Sequence, residues 1–146
     1  MYYQNGRTPG PQGAQISHIT LGYHDLAVSA AFYAACLSTI GLTRLPAEEA
    51  DESEAAFGYD GTRTPVVFVQ APFDGRPATW GNGTHVAFAA KTRAEVHAFH
   101  EAALAAGGVC EGPPGPRPQY SQRYYAAYMR DPMGQKLQIV TRNTDG

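Results

Sequence analysis

Apolar and polar positions along this chain follow two rhythms, and each rhythm occurs twice. Ile19 and Leu21 alternate with His18, Thr20 and Gly22, and Val86 and Phe88 alternate with His85, Ala87 and Ala89. A period of two predicts a strand covered on one face only. A helical period follows each strand: Ser29, Phe32, Tyr33, Cys36, Leu37 and Ile40 form one inward stripe, and Val96, Phe99, Ala103 and Leu104 form the other. Asp25 is placed to cap the first helix, which runs to about Ser38 and ends at Gly41. Thr92 and Glu95 make a capping box for the second, which runs to about Ala106 and stops at Gly107-Gly108.

The two stretches also match residue by residue at a constant offset of 67 positions. His18 falls on His85, Phe32 on Phe99, Leu37 on Leu104 and Gly41 on Gly108, with Ala27, Ala31 and Ala35 on Ala94, Ala98 and Ala102. The protein therefore reads as a duplicated module. After each helix come further strand patterns. In the first module these are Leu42 to Leu45, Ala55 to Tyr59 and Val66 to Gln70, with Asp60-Gly61 as a turn. In the second they are Tyr124 to Met129 and Lys136 to Thr141, joined at Asp131-Pro132-Met133-Gly134. Residues 71 to 84 are the linker, and Trp80 within it has two readings, an aromatic anchor or a pocket wall. Glu111 to Arg123, with four prolines and two glycines, reads as irregular and long enough to form a lid, from which Arg117, Tyr120 and Arg123 can reach a ligand. Residues 1 to 15 read as a flexible or surface tail, in which Tyr2 and Tyr3 are candidates for docking on a partner, and the acidic run from Pro46 to Glu52 as a solvated loop.

Length and charge narrow the function. One domain is expected at 146 residues with 43% hydrophobic content, and a net charge of −2 gives no electrostatic case for nucleic acid or an anionic membrane. No apolar run reaches membrane-spanning length and no secretion-signal pattern opens the chain, so a soluble cytoplasmic protein is expected. Cys36 and Cys110 lack CxxC-type spacing and lie in apolar stretches, which reads as two reduced packing residues. The glycine clusters stand in loops without the strand-to-helix placement of a phosphate-binding or nucleophile motif.

Strand parity locates the candidate chemistry. Val67 and Val69, like Leu137 and Ile139, suit the side facing a helix, which turns Phe68 and Gln138 to the other side. His18, Phe68, His85 and Gln138 are thus four equivalent positions of two modules, expected to meet in a cavity. A histidine on a strand is often only a packed, hydrogen-bonded residue, whereas a pair related by a repeat is a candidate ligand pair.

On HITLGYHDLAVSAAFYAACL, GNGTHVAFAAKTRAEVHAFHEAALAAGG and YYAAYMRDPMGQKLQIV, with the duplication, the chain resembles the vicinal oxygen chelate superfamily, which includes glyoxalase I, bleomycin-resistance proteins and extradiol dioxygenases. The resemblance runs from Ile16 to Arg142. It implies an α+β fold, two βαβββ modules in tandem forming a cupped mixed sheet: a single domain over 16–146, with module one about 16–70 and module two about 85–142. It also implies a homodimer and a divalent metal, zinc, nickel, manganese or iron, between the modules on His18, His85 and Gln138. The family usually has Glu at the position of Gln138, and its metal-dependent glyoxalases have Glu at that of Phe68. An amide is a weaker donor than a carboxylate and is no general base at neutral pH. Two functions follow as expectations. One is a metal-dependent lyase, isomerase or oxygenase acting on a small oxygenated or aromatic molecule; the other is metal-free binding of such a molecule without catalysis. Phe68, Trp80, Arg117, Tyr120 and Tyr128 are the expected ligand contacts under either, and Tyr124 and Tyr125 add to the aromatic supply. No residue is assigned a catalytic role.

Overall fold

A computed structural model describes residues 16–46 and 52–144. The tail with Tyr2 and Tyr3, and most of the acidic loop, lie outside the described residues.

The first module consists of β1 (Ile19–Gly22), α1 (Leu26–Ser38), β2 (Leu42–Arg44), β3 (Glu54–Tyr59) and β4 (Pro65–Gln70). The second repeats the order with β5 (His85–Ala89), α2 (Arg93–Ala105), β6 (Val109–Pro116), β7 (Tyr125–Arg130) and β8 (Lys136–Thr141). Each module is a four-stranded mixed sheet, ordered β1-β4-β3-β2 and β5-β8-β7-β6. β1 pairs parallel with β4 and β5 parallel with β8, while the remaining pairs are antiparallel. These are the tandem βαβββ modules expected from the repeat.

The helix ends form as the local chemistry dictates. The Asp25 carboxylate accepts from the Val28 amide at 3.1 Å, and Thr92 and Glu95 satisfy each other's backbone N–H groups in a capping box. Gly41 and Gly107 adopt φ of 83° and 100° at the helix C-termini. Gly108 is needed for a different reason: a Cβ there would lie 2.8 Å from the Ala103 carbonyl and 2.9 Å from the Phe32 ring. The second glycine of the pair is thus a point of close packing between the modules.

One face of each sheet is covered by its own helix, and α1 packs on α2. Among the described residues this is the one place where the backbone of an element of the first module runs close to an element of the second, so no strand of one sheet lies alongside a strand of the other. The core runs through this helix layer, with Phe32, Tyr33, Leu37, Phe57, Phe99, Met129, Leu137 and Ile139 fully buried. Each large side chain removed from water contributes roughly 1.5–3 kcal/mol. Val67, Val69, Leu137 and Ile139 face the helices, as parity requires.

A buried polar link reinforces the junction. The Tyr33 hydroxyl donates to Asp131 Oδ2 at 2.6 Å, and Asp131 Oδ1 accepts from the backbone of Met133, Gly134 and Gln135, each at 2.9 Å. The Gln135 amide donates both to Asp131 Oδ2 and to the Gly22 carbonyl in the first module. Burial, followed by the Asp131 carboxylate, pushes the Tyr33 phenol well above its ordinary range.

Three expectations are corrected. Leu104, expected inward, is 37% exposed, because it lies one position past the Val96-Phe99-Ala103 face. The segment from Glu111, expected to be irregular throughout, is strand as far as Pro116. β6 is an edge strand that needs ladder bonds on one side only, and its register shifts around Gly112, so prolines without N–H groups are tolerated. Cys110, expected to be a packing residue, is exposed on that edge; Cys36 is buried, and both are free thiols. Among the described residues no helix is long and apolar enough to cross a membrane.

Candidate functional site

Since the helices cover one face of each sheet, the other face is open, and the alternating strands place the polar candidates there. On the second sheet His85 opposes Lys136, and Gln138 stands between Ala87 and Tyr128. The small residues Ala87 and Ala89 leave room above β5. The His85 Nε2 lies 3.2 Å from Gln138 Oε1, and the other end of that amide donates to the Tyr124 hydroxyl at 2.5 Å. His85, Gln138 and Tyr124 therefore form one hydrogen-bonded chain.

A cavity of about 500 Å³ lies over this chain, walled also by Arg117, Tyr120, Tyr128 and Lys136. The Arg117 guanidinium donates to the carbonyls of Pro113 and Pro116 and sits 5.5 Å from the Tyr128 ring centroid. The Lys136 ammonium stands 5.5 Å from the same ring. Tyr120 packs on Tyr124 with centroids 5.1 Å apart. Burial first, then the neighbouring Tyr120 and Tyr124, raise the Tyr128 phenol above its ordinary value, while Arg117 opposes the shift. At neutral pH Tyr128 is an uncharged donor. The pocket's one carboxylate, Glu111, is held by Arg130 at 3.0 Å.

The open face of the first sheet is separate. His18 makes an edge contact with Phe68, ring centroids 5.2 Å apart, and its Nδ1 lies 3.0 Å from the Ser17 hydroxyl. Further along, the Gln70 amide donates to Glu54 Oε2 at 2.5 Å, beside Thr20, in an open cavity of about 780 Å³ walled by the linker.

Of the expected residues, the structure brings together His85, Gln138, Arg117, Tyr120 and Tyr128. It sets His18 with Phe68 on the other sheet. The expected meeting of all four equivalent positions does not occur within one chain, because the modules join through their helices and not along their sheets. Trp80 lines neither of the two cavities. Its indole packs against Gly134 under the Arg130 guanidinium, at 5.1 Å, in a small cleft that shares His85 and Lys136 with the cavity. Arg123 lines none of these cavities.

The donor set for a divalent ion can be tested on these contacts. His85 Nε2 and the Gln138 amide are engaged with each other and with Tyr124, His18 is on the other sheet, and among the described residues no three of His, Cys, Asp and Glu cluster at ligand spacing. The residues of one chain do not fit the metal. Tyr124 is expected only as an aromatic wall, and its hydroxyl contact with Gln138 follows from the register. Lys136, Glu111 and Glu54 escape the sequence reading. Glu54 lies one residue before the expected strand, although its alternation with Ala56 and Gly58 and its pairing with Gln70 put a carboxylate on the first open face.

Known proteins share this fold. A glyoxalase/bleomycin resistance protein from Albidiferax ferrireducens T118 is 37% identical, with a TM-score of 0.73 over 87% of this chain and 98% of that one. A glyoxalase-related enzyme from Fulvimarina pelagi, 22% identical, has a TM-score of 0.65 over 87% of each chain. The fosfomycin resistance protein FosX from Listeria monocytogenes, 20% identical, has a TM-score of 0.62 over 91% of this chain and 97% of that one. The last two likenesses show the fold alone. No curated protein matches significantly. The family of glyoxalases, bleomycin resistance proteins and dioxygenases matches residues 15–139. Tandem βαβββ modules, a duplicated strand histidine and that match over most of the sequence lead to one conclusion: the chain belongs to the Glyoxalase/Bleomycin resistance protein/Dioxygenase superfamily.

Proposed function

We propose that this superfamily member binds a small oxygenated or aromatic molecule on the open face of its second sheet, through hydrogen bonds and aromatic contact and without a metal. The observation that carries the reading is the Gln138 amide, spent between His85 and Tyr124. A carboxylate there would be a charged donor for a cation, whereas this amide fixes a neutral hydrogen-bonding line along the cavity floor. Tyr120, Tyr124 and Tyr128 supply flat walls, and the Tyr128 hydroxyl supplies a donor.

A second reading is favoured by the repeat itself, since His18 and His85 occupy the same position on the two open faces. In a homodimer that sets the first face of one copy against the second face of another, His18 of one chain joins His85 and Gln138 of the other. The three then hold zinc, nickel, manganese or iron for a lyase, isomerase or oxygenase reaction that polarises vicinal oxygens of the substrate.

Metal content of the untagged protein separates the two, measured before and after equilibration with each ion and alongside His85→Ala and His18→Ala. The binding reading expects far less than one ion per chain, and ligand-observed NMR signals from aromatic fragments that chelator does not change. Near-stoichiometric metal, lost in both variants, overturns it in favour of the shared centre.

A further inference from the structure

We propose that the molecule taken by the second-sheet cavity carries a carboxylate on a flat ring, and that Lys136 and Arg117 select that charge. This rests on the reading of the open face as a ligand site and adds the chemical class of the ligand.

Lys136 and Arg117 both approach the Tyr128 ring at 5.5 Å, and among the described residues neither is ion-paired. The Lys136 ammonium has the face of Tyr128 as its described partner, which leaves its three N–H donors without an acceptor oxygen. Arg117 is held in place by two backbone carbonyls, which orient the guanidinium without neutralising it. The carboxylate that could offset them, Glu111, is already bound to Arg130. His85, Gln138 and the three tyrosines add polar atoms but no carboxylate. Two uncompensated cations beside aromatic walls favour an anion over a neutral molecule of the same shape, and guanidinium geometry matches a carboxylate.

The excess is local. The chain as a whole carries −2. In the cavity of the first sheet the balance is reversed, with Glu54 and Asp74 against Arg76 alone. The basic face is therefore a property of this pocket, not of the protein's surface at large.

Benzoate and its neutral counterpart benzamide test the proposal, titrated in the presence of chelator at neutral pH against wild-type protein and Lys136→Gln. Chemical shifts of His85 and the cavity tyrosines are the readout. Benzoate is expected to bind about tenfold more tightly than benzamide, in line with a charge-assisted hydrogen bond, and to weaken with added salt. Lys136→Gln should weaken benzoate severalfold more than it changes benzamide. Equal affinity of the two compounds for wild-type protein overturns the charge selection and leaves the site reading standing. If neither compound moves the His85 or tyrosine signals, the site reading falls, and the proposal with it. The salt dependence in wild type decides the matter even if the variant fails to fold.

Discussion

Tyr33→Phe removes a single oxygen from the junction between the modules. Phenylalanine keeps the ring, which is fully buried, so little apolar contact changes. What is lost is the 2.6 Å bond from the Tyr33 hydroxyl to Asp131 Oδ2, which spans 98 residues of sequence and ties α1 to the β7–β8 turn. Asp131 keeps four of its five described hydrogen bonds, three on Oδ1 and one from Gln135 on Oδ2. The variant therefore pays for one charged hydrogen bond and not for an orphaned carboxylate. Such a bond is worth about 1.5–3 kcal/mol. A loss of about 2 kcal/mol corresponds to a fall of about 6 °C in Tm for a domain of this size. Urea unfolding near neutral pH measures it, with the slope m unchanged. The difference should also depend on pH. Burial and Asp131 raise the folded-state phenol pKa above its unfolded value, so the protonated side chain stabilises the fold fully below about pH 10, and that contribution is lost as pH rises toward the folded-state value. Wild type should lose stability above about pH 10 faster than the variant, and the gap between them should narrow. A Tyr33→Phe protein within about 0.5 kcal/mol of wild type near neutral pH, below the range for a charged bond, would refute the reasoning.

Two further outcomes are expected. The buried Cys36 thiol is pushed up to about 12, chiefly by burial, whereas Cys110 is exposed; iodoacetamide near neutral pH should label Cys110 in the folded protein and both thiols only in denaturant, as peptide mass mapping will show. Gly108→Ala puts a methyl group against two carbonyls and the Phe32 ring, all within 2.9 Å. It should cost about 2 kcal/mol or more in urea unfolding, the range of an overpacked core, and a neutral result would mean that the strand end shifts freely.

Most of the fold could be read from local signals. The repeat was visible because both copies must cap a helix, bury one stripe and end at glycine, and these demands fall on the same residues each time. β6 was missed because its prolines break the rule for a central strand, and only its place at the sheet edge makes them acceptable. The site was half legible. Parity correctly turned His18, Phe68, His85 and Gln138 to the open faces, since it depends on the chain alone. How the two open faces lie relative to each other depends on the α1–α2 packing, for which no short stretch carries a signal. The hydrogen bonds of Tyr124 and Glu54 escaped for the same kind of reason: their partners, Gln138 and Gln70, sit on neighbouring strands and are fixed by register.

The helix-to-helix junction also separates what the protein must keep from what it can vary. Phe32, Tyr33, Phe99 and Asp131 hold the modules together at the centre, while Lys136, Tyr128, Glu54 and Thr20 stand on surfaces that face away from it. A change of ligand chemistry on one sheet then need not disturb either the core or the opposite sheet. A duplicated chain built this way offers two independently writable surfaces on one frame, and the acidic and basic cavities are two different inscriptions on what began as the same page.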